Sequence, residues 1–94
     1  MNYKDLARTF EILASKDPNG LVNDWAEHDE YGFDLSRIDL SPSEIRELIE
    51  IGWGLGSGYA YDEEIIEVWE NPTKHTDEEI MAAYNEYKGI YKFA

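Results

Sequence analysis

The feature that most limits what this chain can become is how its charge is distributed. Twenty-one Asp and Glu residues stand against eight Lys and Arg, a formal net charge of −13 over 94 residues. Self-repulsion on this scale works against a compact state. A chain that carries it is either disordered or keeps the charge because a partner reads it. Disorder fails here on composition and on order. The acids run from Asp5 to Glu86 among apolar positions rather than forming a tail, and 43% of the residues are hydrophobic and 14% aromatic, with three Trp and seven Tyr. Acidic disordered segments are poor in such residues and cannot bury enough surface to offset their ordering entropy. A folded acidic domain is expected.

The apolar periodicity reads as helical. Tyr3, Leu6, Ala7, Phe10, Leu13 and Ala14 place a helix over residues 3–15, and Asp17-Pro18-Asn19-Gly20 stops it. Ser41 as N-cap, Pro42 and Glu44 open a second helix with a capping box and Ile45, Leu48 and Ile49 as its buried stripe. The run Gly52-Trp53-Gly54-Leu55-Gly56-Ser57-Gly58 ends it as a connection. A third helix is expected over Tyr61–Glu70, with Ile65, Ile66, Val68 and Trp69 inward and Asp62, Glu63 and Glu64 at its positive end. Asn71-Pro72 breaks it. Thr76 with Glu79 caps a fourth helix running to Lys88, and Gly89 is read as its left-handed C-cap. Leu21–Leu40 stands between two readings, a short helix at Leu21–Glu27 or an extended piece near Tyr31–Leu35. The expectation is one mostly α domain over residues 1–94, with about four helices and at most a short extended segment within residues 21–40.

Length and composition narrow the function. A core of this size gives marginal stability. Without cysteine there is no disulfide framework or thiolate chemistry. No stretch approaches a membrane span, and Met1-Asn2-Tyr3-Lys4-Asp5 is not a signal pattern. Anionic lipid and bare nucleic acid are repelled. A cytoplasmic protein with a basic protein partner is the default expectation.

Sites for chemistry are scarce. The glycine run lacks the Lys-Ser/Thr of a phosphate loop and follows a helix instead of a strand. Asp17-Pro18-Asn19-Gly20 has the wrong spacing for a calcium loop, with His28 where the last ligand would stand. Neither His28 nor His75 has a partner at metal-ligand spacing, so surface or structural roles are expected for both. His28-Asp29 could pair a base with its orienter, but no nucleophile is placed beside it. Any two of the acids can meet, yet nothing marks a catalytic pair. No enzyme activity, cofactor or metal is expected. Trp53 and Trp69 read as core and Trp25 as half exposed; a base-stacking role would need a basic groove that this chain lacks.

The carboxylates invite a different reading. Size scaling gives a radius of gyration of about 12 Å, hence a diameter of about 32 Å, and that length of B-DNA presents roughly 19 phosphates. The chain's 21 acids are comparable. It can therefore imitate about ten base pairs of duplex toward a Lys- and Arg-lined groove, whose long-range attraction speeds encounter. The candidate mimic face is Asp62, Glu63, Glu64 and Glu67 with Glu70; Asp77, Glu78 and Glu79, or Glu27, Asp29, Glu30 and Asp34, are the alternatives.

The segment Trp25-Ala26-Glu27-His28-Asp29-Glu30-Tyr31-Gly32-Phe33 resembles the W-A-x-H-D-x-x-G-F stretch of the ArdA family of antirestriction proteins. Phe10-Glu11-Ile12-Leu13-Ala14-Ser15 before it, an acidic helix over Ser43–Ile51 after it, and Asp77-Glu78-Glu79-Ile80 leading through Tyr84 to Tyr87-Lys88-Gly89-Ile90-Tyr91 extend the likeness in order. It covers the central part of a family member. The motif has Glu27 where the family often has an apolar residue, and Glu30-Tyr31 where Tyr-Glu is usual. The resemblance implies a DNA mimic that fills the DNA groove of type I restriction–modification enzymes in a bacterial host cell, without catalysis or cofactor. On that resemblance Trp25, His28, Gly32 and Phe33 shape the fold, as do Tyr87, Gly89 and Tyr91. A CRISPR effector, whose channel is also basic, is a second target class. An acidic adaptor or antirepressor on a basic transcription regulator stays open as the alternative, as does homodimer formation, with a small carboxylate hydrolase behind both.

Overall fold

Helices form where the caps stand. The structure, a computed structural model, describes residues 1–27, 29–56 and 62–93. Helix α1 spans Tyr3–Lys16 and starts from a capping box between Asn2 and Asp5, a signal outside the sequence expectation. Helix α2, Pro42–Ile51, starts from the Ser41–Glu44 box. Helix α3 covers Glu63–Glu70, with Asp62 accepting from the Glu64 amide. After a 3₁₀ turn at Pro72–Lys74, the Thr76–Glu79 box opens α4, Asp77–Tyr87.

The expectation of a mostly α domain is wrong. Four strands, β1 Asp24–Glu27, β2 Glu30–Asp34, β3 Gly54–Leu55 and β4 Gly89–Phe93, form an antiparallel sheet in the order β1-β2-β4-β3. The Leu21–Glu27 helix is therefore corrected to a strand at its second half, and the extended piece near Tyr31–Leu35 is β2. The glycine run does more than connect: Gly54 pairs with Tyr91 and Leu55 with Ile90, while Ser57, Gly58 and the Tyr61 start of the third helix lie outside the described residues. Gly89 is not the left-handed cap. Lys88 takes that conformation at φ 46°, and Gly89 opens β4.

Glycines and rings explain why so short a sheet holds. Along β2 the side chains alternate, so Tyr31 and Phe33 meet Trp53 under the helices, with ring centroids 6.4 and 5.6 Å away. Gly32 turns to the other face, where Trp25 is its cross-strand partner. A Cβ on Gly32 would stand 2.6 Å from both Trp25 Cζ2 and the Ile90 carbonyl, so only glycine lets the indole lie on the strand. Gly54 repeats the device: its Cβ would meet Trp69 Cζ2 at 3.1 Å and Tyr91 Cε1 at 3.3 Å, and Trp69 and Tyr91 pack edge to face.

The core lies between the helices and the sheet face that carries Phe33, Leu55 and Ile90. Ile45, Leu48, Trp53, Ile80, Tyr84 and Ile90 are fully buried, with Ile12 and Phe33 nearly so. Buried polar atoms are paired at two key points. Trp53 Nε1 donates to Thr9 Oγ1 at 2.9 Å, and the Thr9 hydroxyl donates to the Asp5 carbonyl. Tyr84 OH donates to the Ile38 carbonyl at 2.7 Å. Helix α1 packs on α2, α2 on α4 and α4 on α3, and α3 also packs on β3. The body measures 32 × 29 × 24 Å with a radius of gyration of 12.3 Å, close to the size-scaling value. Among the described residues no helix is long and apolar enough to cross a membrane.

Candidate functional site

Helices α3 and α4 pack side by side, and both begin with acids. Helix starts favour carboxylates because the first backbone amides are unpaired and carry positive partial charge. Asp62, Glu63 and Glu64 occupy that position on α3, and Asp77, Glu78 and Glu79 on α4. Between the helices runs an open groove of about 700 Å³. Asp62, Glu63, Glu64 and Glu67 line it from α3, Glu79 and Glu86 from α4, with Ile65, Val68, Ala82 and Ala83 as the apolar floor.

His75 closes one end of the groove. Its side chain is only 16% exposed; Nδ1 lies 3.1 Å from Glu79 Oε2 and Nε2 lies 3.6 Å from Glu67 Oε1. The second distance is within ion-pair range but beyond hydrogen-bond reach, which leaves that nitrogen without a hydrogen-bond partner among the described residues. Arg46, reaching over from α2, sets this corner. Its guanidinium donates to the Pro72 carbonyl at 2.7 Å, the His75 carbonyl at 2.8 Å and Asp77 Oδ1 at 3.0 Å. Arg46 therefore faces the turn, where it fixes the backbone on either side of His75.

The electrostatics separate the groove from the α1–α2 seam. At the α1–α2 seam the carboxylates are held: Arg8 bridges Glu47 and Glu11, and Lys16 meets Glu44 at 3.0 Å. The Arg8 guanidinium holds Glu47 below the usual carboxylate range, and Lys88 does the same for Asp39. In the groove, Asp62, Glu63, Glu64, Glu67, Glu79 and Glu86 have no Lys or Arg partner among the described residues; His75 alone meets two of them. Between residues 62 and 87 the sequence has nine acids and one basic residue, Lys74, which stands on the turn outside the groove lining.

The resolved carboxyl shifts all run in one direction. A general acid at neutral pH needs a raised carboxyl. Each described carboxyl with a resolved shift is lowered: Asp39, Glu47, Glu44 (where Ser41 and Lys16 outweigh burial) and Glu79. Glu79 falls to about 2, first through the Thr76 amide and then through His75. Among the described residues no three His, Cys, Asp or Glu side chains are grouped to hold a metal.

The acids expected to act together are divided by the structure. Asp62, Glu63, Glu64, Glu67 and Glu79 converge on the groove. Glu70, Asp77 and Glu78 do not line it, and Asp77 is paired with Arg46. Asp29, Glu30 and Asp34 belong to the β1–β2 hairpin: Asp29 sits in its turn at φ 64°, and Asp34 accepts from the Ser36 amide and Asn23 Nδ2. The strand carrying Glu27 is part of that hairpin, and His28 lies outside the described residues. Of the motif positions, Trp25, Gly32 and Tyr91 share one line across the sheet. Phe33 is core, Gly89 packs 3.0 Å (from its would-be Cβ) against the Gly56 carbonyl, and Tyr87 is exposed at the end of α4. Sequence reasoning missed Glu86 and Arg46. Glu86 stands seven residues after Glu79, two turns along the same helix face, so that signal was there. No local signal placed Arg46.

Compared with known proteins, the chain matches no family model, no curated protein and no solved structure. The likeness to the ArdA family thus rests on Trp25–Phe33 and the flanking segments alone.

Proposed function

We propose that this chain is a non-catalytic DNA mimic that occupies the basic DNA-binding groove of a bacterial defence nuclease, a type I restriction–modification enzyme in the first place and a CRISPR effector in the second, in the cytoplasm of the host cell. The observation that carries the reading is the α3–α4 groove, whose six carboxylates have no Lys or Arg partner among the described residues while the seam acids do. Two helices set carboxylates on either side of a recess, as two phosphate strands flank a groove of duplex. The 32 Å long axis matches about ten base pairs, and the resemblance of Trp25–Phe33 to the ArdA motif points to the same class of opponent.

Binding would follow from charge and shape alone. A Lys- and Arg-lined channel that has evolved to neutralise phosphates gains the same ion pairs from the groove acids, and releases DNA because both ligands need one surface. The experiment is a pull-down from bacterial lysate with the immobilised chain, repeated with excess duplex DNA. A DNA-binding nuclease recovered without DNA and lost with it supports the proposal. A partner indifferent to DNA overturns it and favours the adaptor or antirepressor reading, for which the exposed apolar Leu21 and Val22, outside the groove lining, are the supporting observation.

A further inference from the structure

The segment that leads from α1 into the sheet leaves Leu21 95% and Val22 67% exposed. Single apolar side chains on a surface are ordinary, but these two are not isolated. With Phe10 of α1 they border a recess of about 180 Å³ whose inner wall includes Leu13, Phe33 and Ile38. Its rim is acidic. Asp17 and Asp34 line it, and neither has a Lys or Arg partner among the described residues, the Asp34 oxygens accepting only from Ser36 and Asn23. The recess is lined from α1, β2 and the segments beside them, and none of its lining residues belongs to the α3–α4 groove.

We infer that this recess docks a basic segment of a partner protein, one that presents a single large apolar side chain between Lys or Arg residues. Size sets the anchor: an apolar protein cavity of about 150 Å³ holds one benzene, so this space suits one Leu, Met or Phe side chain. Charge sets what flanks it. A cationic neighbour on each side meets Asp17 and Asp34, and the docked segment covers Leu21 and Val22. A second copy of the chain fits poorly, since it brings another −13 and the same acidic rim with no basic counterpart. The inference stands apart from the groove reading, because the two surfaces share no lining residue.

The test titrates the full chain, labelled with nitrogen-15, with the peptides acetyl-Lys-Lys-Phe-Lys-Lys-amide, its Phe-to-Ala counterpart, and acetyl-Glu-Glu-Phe-Glu-Glu-amide. The Phe peptide should shift the amides of Phe10, Leu21 and Val22 saturably. It should bind about tenfold tighter than the Ala peptide, the gain expected from burying one such side chain, while the Glu peptide should not bind. The double variant Leu21→Ser/Val22→Ser changes exposed side chains, so its fold should hold. It should reduce the Phe peptide to the level of the Ala peptide, whereas Glu63→Gln/Glu64→Gln in the groove should leave the tenfold difference intact. Equal affinity of the Phe and Ala peptides, or shifts confined to residues 62–86, would overturn the inference without touching the groove proposal. So would a dimer in light scattering that Leu21→Ser/Val22→Ser dissociates, which would make a second copy the occupant.

Discussion

At the α1–α2 seam and at the α3–α4 groove this chain places acids of the same kind on neighbouring helices, and treats them in opposite ways. At the seam, Arg8 joins Glu11 on its own helix to Glu47 on the next, and Lys16 reaches Glu44. Those carboxylates help hold α1 against α2. Beside the groove, Arg46 of α2 directs its bonds to two backbone carbonyls and to Asp77, which does not line it. The acids share the groove lining with the apolar Ile65, Val68, Ala82 and Ala83. Net charge alone cannot tell these two uses apart. Local pairing does: the groove acids lack the Lys or Arg partner, among the described residues, that the seam acids have.

The largest expected effect comes from exchanging the two sets. Asp62→Asn/Glu63→Gln/Glu64→Gln/Glu67→Gln should weaken binding to the basic partner by on the order of 1,000-fold at low salt, since each of the four ion pairs with the partner is worth about 1 kcal/mol even at the dielectric of water and every 1.4 kcal/mol is tenfold. Its thermal midpoint should hold or rise, because Asn caps a helix as Asp does and like-charge repulsion is relieved. Glu11→Gln/Glu44→Gln/Glu47→Gln should do the reverse, lowering the midpoint in a salt-sensitive way and leaving affinity within about twofold, as removal of exposed, screened pairs implies. Calorimetry of binding and of melting on both variants reads both effects.

Next in size is the buried bond that ties α1 to the core. Thr9→Val keeps the shape but leaves Trp53 Nε1 without its acceptor, which should cost about 1–3 kcal/mol in urea unfolding with no change in partner affinity. A drop in affinity there would break the separation of the two regions. Thr76→Ala, at the groove end, should cost about 1 kcal/mol through removal of the N-cap.

The smallest effect concerns pH. Glu79 drops from an ordinary 4.5 to about 2 in the folded chain, so the unfolded state binds its proton first. Its contribution to stability is complete above about 4.5 and is lost as pH falls toward 2. Glu79→Gln should flatten the acid limb of the stability profile in that window. Thr76→Ala should leave most of it in place, because it keeps the backbone amide that is the largest cause of the shift and removes only the hydroxyl. An unchanged acid limb in Glu79→Gln would contradict this assignment.

The helices were legible because their signals are local. Ser41-Pro42 with Glu44, and Thr76 with Glu79, are complete caps within four residues, and they stand where the sequence puts them. The strands were not, because what makes them strands is distant. Gly32, Gly54 and Gly89 weaken local strand propensity, and each sits in the sheet only because another segment comes to it: Trp25 over Gly32, Trp69 beside Gly54, Gly56 against Gly89. The last strand, β4, also inserts between β2 and β3, a pairing no local pattern encodes. For the groove, the clustered acids at two helix starts could be read directly. Their separation from Asp77 by Arg46 could not, since that arginine lies 31 residues away.

The most direct test of the central claim is displacement of a fluorescent duplex from a purified type I restriction–modification enzyme, and in parallel from a CRISPR effector, by the native chain and by the groove and seam variants. The account predicts displacement from at least one of them by the native chain and the seam variant, a strong reduction with the groove variant, and steep weakening between roughly 50 and 500 mM salt as exposed charges are screened. Displacement by the groove variant equal to that of the native chain, or DNA left bound to both enzymes, would contradict it.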